Sequence, residues 1–130
     1  MFKRIWQLSF AALTLLFTIS ISAAAEPTVE VAAVATSVKN FIPIGVSEKF
    51  QSSVGRLYCY SKIIGGEGRN IKHLWYINEK KFRETALPIK ARSYRTYSLV
   101  NILPGTKGSG RVDITAEEGK VLKSVDFTIE

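Results

Sequence analysis

From residue 57 onward, apolar side chains alternate with polar ones instead of recurring every three or four positions, and β-branched and aromatic residues dominate the apolar set. Alternation with period two is the mark of a strand with one buried face. It predicts strands over Leu57–Ile64, Ile71–Ile77, Phe82–Ile89, Tyr94–Ile102, Arg111–Ala116 and Val125–Ile129. Breaks fall where the turn chemistry is favourable. Gly65-Gly66-Glu67-Gly68 follows the first run, and glycine permits positive φ there. Asn78-Glu79-Lys80-Lys81 is a polar turn, Pro104 to Gly110 a loop, and Glu117-Glu118-Gly119-Lys120 a tight turn. Pro88 marks an edge position or a strand end, because proline cannot donate to a ladder. An earlier run, Val29–Val34, is alanine-rich and compatible with a strand or a short helix; Pro43 and Gly45 break the chain after it.

About seven short strands at this spacing predict an all-β fold, an antiparallel immunoglobulin-like sandwich. Val112, Ile114 and Ala116 share one face of their strand, and Val125, Phe127 and Ile129 share another, so both sets are expected in the core. Leu57, Cys59 and Ile63 likewise alternate on one face. In such a sandwich a tryptophan of the third strand packs near a residue of the second, a role that suits Trp75 and Cys59.

The first 25 residues read differently. Lys3 and Arg4 precede an apolar stretch from Ile5 to Ile21, and Ala23-Ala24-Ala25 ends it with small residues at the −3 and −1 positions of a cut before Glu26. This is the pattern of a bacterial secretory signal peptide. The stretch is short for a membrane-spanning helix, which needs about 20 apolar residues. Residues 1–25 are thus expected to be a cleaved signal peptide and 26–130 a single β-sandwich domain, periplasmic or secreted, with no stable membrane span after cleavage. With Lys3 and Arg4 removed from its 18 basic residues and all 11 acids retained, the remainder carries a net charge of +5. That charge, outside the cytoplasm, points to anionic partners such as an envelope glycan.

Chemistry is sparse. One cysteine and one histidine cannot fill a zinc site. No dinucleotide fingerprint, phosphate loop or nucleophile elbow is present. No cofactor, metal or nucleic-acid partner is expected. Cys59 and His73 form a conceivable nucleophile pair, but both fall in strands beside the core, where a buried thiol is inert. The strongest constellation is His73-Leu74-Trp75-Tyr76 on one strand with Arg92-Ser93-Tyr94-Arg95-Thr96-Tyr97-Ser98 on another. Arginines beside aromatic rings can hold carboxylates or phosphates while the rings stack on a ligand. Arg92, Tyr94, Arg95, Tyr97, His73 and Trp75 are therefore the candidate binding residues. Arg92 and Tyr94 are expected on one face of their strand, and Arg95 and Tyr97 on the other. The expected function is a non-enzymatic extracytoplasmic binding or accessory domain for an anionic envelope polymer or a partner protein. The alternative is a small enzyme using His73 as general acid or base.

The same residues carry a likeness. His73-Leu74-Trp75-Tyr76, the Asn78 turn, Arg95-Thr96-Tyr97-Ser98 and Gly119-Lys120-Val121-Leu122 with Phe127, in that order, resemble the bacterial exported domain-of-unknown-function family numbered 2914. Tyr58-Cys59-Tyr60-Ser61 resembles its aromatic strand, and the likeness runs from about Val31 to Glu130. It implies an exported β-sandwich and no particular activity. The family pattern tends to have tryptophan where this chain has Tyr94 and Gly110, and a small residue and a lysine where it has Leu99 and Val100.

Overall fold

A computed structural model describes residues 14–16 and 25–130. Most of the proposed signal peptide lies outside the described residues, whereas Ala25 and Glu26, on either side of the proposed cut, lie within them. Ten strands follow in chain order: β1 Thr28–Ala35, β2 Ser37–Lys39, β3 Ile42–Ile44, β4 Lys49–Phe50, β5 Arg56–Ile64, β6 Asn70–Ile77, β7 Lys80–Pro88, β8 Ser93–Asn101, β9 Gly108–Ala116 and β10 Val121–Ile129. The helical structure among the described residues is one 3-10 turn at Ser52–Val54.

Seven of these strands are eight or nine residues long, and they make the sandwich. One sheet has the order β1-β5-β8 and the other β4-β10-β9-β6-β7, with β2 and β3 forming a separate hairpin. Leaving aside the short β4, the second and fifth long strands lie together in one sheet, and the third and sixth in the other. This crossing-over is the immunoglobulin-like Greek-key arrangement. The alanine-rich first run is a strand: Ala32, Ala33 and Val34 pair with Ser61, Tyr60 and Cys59 of β5. Pairing with β5 outweighs the helix propensity of alanine, because each residue gains a ladder partner and Val34 reaches the core.

The core forms between the sheets. Leu57, Cys59 and Ile63 of β5 face Ile71 and Trp75 of β6 and Val112 and Ile114 of β9, all fully buried. Phe127 of β10 meets Trp75 edge-on, with ring centroids 6.1 Å apart, and Phe50 likewise at 6.2 Å. Val125 is only half-buried, since β10 runs beside the margin of the core.

Two hairpin turns place non-glycine residues at positive φ. Asn78 (49°) and Glu79 (65°) join β6 to β7; Asn40 (50°) and Phe41 (56°) join β2 to β3. Two successive residues of this kind make a two-residue turn whose twist matches that of the strands. At Asn78 the turn is tied down. Its backbone N–H donates to the Ser109 carbonyl at 2.8 Å, its Oδ1 accepts from the Ser109 N–H at 3.1 Å, and its Nδ2 donates to the Lys107 carbonyl at 3.2 Å. Phe41 has no such ties, and a bulky side chain at positive φ is strained.

Candidate functional site

The strongest sequence constellation divides in two. His73 and Trp75 are fully buried between the sheets. His73 Nε2 lies 2.8 Å from Ser61 Oγ of β5, and its Nδ1 lies 2.6 Å from Ser98 Oγ of β8. Trp75 Nε1–H donates to the same Ser98 oxygen at 3.0 Å. Four polar side chains, two from each sheet, thus satisfy one another in the core, where an unpaired polar group would be costly. Burial pushes the His73 imidazole down to about 4, so the ring is neutral at physiological pH. Ser61, and not Cys59, is the group that meets the histidine ring.

Burial pushes the Cys59 thiol up to about 12, with a smaller opposing effect from the Ser61 hydroxyl. The thiolate is the reactive form. In the native protein Cys59 is therefore expected to react with a thiol reagent orders of magnitude more slowly than free cysteine, and at the free rate once the chain is unfolded. Timed labelling with and without denaturant checks this; rapid native labelling would contradict the burial.

The remaining candidates lie on β8 and just before it. Arg95 and Tyr97 face outward from the three-stranded sheet, whereas Thr96, Ser98 and Val100 face the core. Tyr94 also points inward and packs against the core as a half-buried ring. Arg92 precedes the strand and does not share a strand face with Tyr94. Its carbonyl accepts the Gly65 N–H at 2.7 Å, which binds the β7–β8 connection to the end of β5 and leaves the residue exposed in that connection. Of the six expected residues, the structure brings Arg95 and Tyr97 together on one surface and leaves Arg92 at its margin. His73 and Trp75 belong to the interior, and Tyr94, half-buried against the core, also lines a recess beside Arg95.

Lys62, Tyr58 and Phe41 complete that surface, with the buried Tyr60 adjoining it, and none of them was among the candidate binding residues read from the sequence. Register places Lys62 of β5 directly opposite Arg95, and Tyr60 opposite Tyr97. Like charges facing each other across a ladder repel. Lys62 has a counter-ion, Glu30 of β1, at 3.2 Å. Arg95 forms no ion pair among the described residues. The β2–β3 hairpin then overhangs the sheet. The half-exposed Phe41 ring at its tip lies 6.1 Å from that of Tyr97, which lies 6.0 Å from that of Tyr58. A recess of about 380 Å³ opens under the hairpin, lined by Asn40, Phe41, Lys62, Ser93, Tyr94 and Arg95. It joins two cations, an amide and the rings of Phe41 and Tyr94.

A larger recess, about 800 Å³, lies elsewhere, along β9 and β10 and bordered by Ala32, Ala33 and Val34 of β1. Its guanidinium, Arg111, is already engaged. Arg111 Nη1 donates to Glu79 Oε2 at 2.8 Å and its Nε to Asp113 Oδ1 at 3.1 Å, while the guanidinium lies 4.4 Å above the Tyr76 ring. The hydrogen bond to Glu79 is the main cause holding Arg111 above its ordinary value. Ser124 Oγ donates to Asp113 at 2.7 Å and extends the clasp to β10. This group staples three strands and the Asn78 turn. Its lining charges, Glu48, Lys123 and Asp126 among them, are of both signs. Volume alone therefore does not identify the site; a cation held opposite a second cation, beside a strained aromatic, is found under the hairpin. Among the described residues, no group of three or more His, Cys, Asp or Glu side chains comes together as a metal site.

Strands β6 to β10 are also where the chain is similar to known sequences. Residues 69–129 match the family described as protein of unknown function (DUF2914). The match is to the family read from the sequence, and it begins at residue 69, not near Val31. The DUF2914 segment thus includes His73, Trp75, Arg95, Tyr97 and the Arg111 clasp, while Ser61, Lys62 and Phe41 lie outside it. Two departures from the family pattern have a structural reason. Gly110 faces the Phe127 ring so closely that any Cβ would run into it. Phe127 occupies the space that a side chain at 110 would need. Val100 is buried, so the position calls for an apolar side chain in this protein. No curated protein matches the chain.

Proposed function

We propose that this protein is an exported, non-enzymatic binding module. In this reading, the outer face of its three-stranded sheet holds an anionic polymer of the bacterial envelope, such as an acidic glycan. The observation that carries the reading is Arg95. It stands opposite a second cation without a counter-ion, beneath a hairpin whose tip residue Phe41 holds a strained conformation with its ring half exposed. Strain retained at an exposed tip suits a site that needs the ring in place. An anionic group between Lys62 and Arg95 would relieve their repulsion, and a flat sugar face could rest on the Phe41–Tyr97 rings. Export rests on the charged start, apolar stretch and alanine exit of residues 1–25. The enclosed position of His73 argues against the enzyme alternative, because no substrate atom reaches a fully buried ring.

The test pairs stability with retention on isolated envelopes at low and high salt. Arg95→Ala is expected to leave the melting temperature within a few degrees and to weaken retention by roughly 1–3 kcal/mol, the worth of a charge-assisted contact. Wild-type retention should itself fall as salt screens the charges. Phe41→Gly should melt at the wild-type temperature or above, since glycine relieves the positive φ, and still bind more weakly. Wild-type retention by both variants at both salts would defeat the reading.

A further inference from the structure

The two sheets are unequal, and the shorter one has an open side. Among the described residues its last strand, β8, pairs with β5 alone. A free strand edge invites pairing with another chain, and proteins guard such edges with bulges, lysines, prolines or brevity. The other edges of the sandwich are guarded. β4 has two residues, β1 carries a bulge between Val29 and Val31, and β7 carries a bulge, Lys80, Lys81 and Pro88. β8 has none of these devices: it is nine residues long, in unbroken register, and free of proline and lysine.

β7 of the other sheet comes near β8 without pairing to it, and a gap remains between them. Arg83 of β7 pairs with Trp75, so the two side chains leave the sheet on its inner side. Phe82, at the bulge, has its ring 6.4 Å from that of Trp75 and is 42% exposed. Two recesses of about 320 and 190 Å³ share Phe82 and Asn101 and adjoin along this gap. Leu103, 74% exposed, and Leu99 stand on their walls. Arg83 on the inner side and Arg95 on the outer side have no ion-pair partner among the described residues.

We propose that the β8 edge takes an extended segment of a partner protein as a fourth strand of the smaller sheet. The segment alternates apolar residues, which face inward and cover Phe82 and Leu103, with acidic ones, which face outward and meet Arg95. Main-chain pairing supplies the affinity and the alternate side chains the specificity, as in other strand additions. The site is distinct from the recess under the hairpin, and its test reads backbone pairing instead of polymer retention.

The probe is a seven-residue peptide of alternating glutamate and valine, added to the full-length protein. Hydrogen exchange is read on the β8 amides and affinity by titration. The peptide is expected to slow exchange at alternate β8 amides by at least tenfold. A lysine–valine counterpart, or the same peptide N-methylated along one edge, should bind at least tenfold more weakly. Arg95→Glu should weaken the acidic peptide and strengthen the basic one. Absence of binding at millimolar peptide would overturn the proposal. So would binding that leaves β8 exchange unchanged, or binding equal for the N-methylated peptide, since either would mean adsorption to charge without strand pairing.

Discussion

Ser98→Ala is expected to destabilise the protein by roughly 2–5 kcal/mol, a large effect for the loss of one oxygen. Ser98 Oγ is the shared partner of Trp75 Nε1–H and His73 Nδ1, both of which lie in the core. Alanine removes the hydroxyl and strands both groups, and each stranded buried group costs about 1–3 kcal/mol. Ser61→Ala strands the other ring nitrogen alone and should cost about 1–3 kcal/mol. Denaturant unfolding of the two variants checks the order. Adding Trp75→Phe to Ser98→Ala should cost less than the same change in the wild type, because the indole N–H is already unpaired there. Equal costs for the two serine variants, with no such coupling, would contradict the shared contact at Ser98.

Acid is expected to weaken the fold through the same histidine. His73 sits at about 4 in the folded protein against an ordinary value of 6.5, because burial disfavours its charged form. Between those two values the unfolded chain binds a proton that the native chain does not, so stability rises with pH across the window. The contribution is complete above about pH 6.5, declines as the pH falls, and is lost below about pH 4, for a total of about 3 kcal/mol. For a domain of this size that lowers the melting temperature at pH 4.5 by roughly 10 °C relative to pH 7.5. His73→Asn, which does not titrate, should lose most of this dependence. The chain has a single histidine, so its ring resonances give an independent reading in the wild type. A native midpoint near 6.5 would contradict the enclosed ring.

Much of the fold was legible because alternation is a local signal. The runs around Leu57–Ile64 and Tyr94–Ile102 identify β5 and β8, and the seven long strands suffice for a sandwich. The short strands were not legible. β2 and β3 have three residues each, too few to show a period, and their turn is Asn40-Phe41, without a glycine to announce positive φ. Trp75 and Cys59 were readable as core from their strand faces. The serines were not: Ser61 and Ser98 look like polar positions, and only cross-sheet packing onto His73 shows them to be interior. The binding face was half legible for the same reason. Arg95 and Tyr97 are adjacent on one strand, but Lys62 joins them through the β5–β8 register and Phe41 through a folded-over hairpin, and neither relation is visible along the chain. Arg92 was misplaced because its run continues the strand pattern, while the bond from Gly65 draws its carbonyl into the preceding connection.

Titration of the isotope-labelled protein with an acidic oligosaccharide, polygalacturonate fragments for example, tests the central claim most directly. Amide and side-chain shifts should concentrate at Asn40, Phe41, Lys62, Arg95 and Tyr97, fade as salt rises, and be absent with a neutral oligosaccharide of the same length. Shifts confined to the Arg111 side of the molecule, or equal responses to the acidic and neutral sugars, would contradict it.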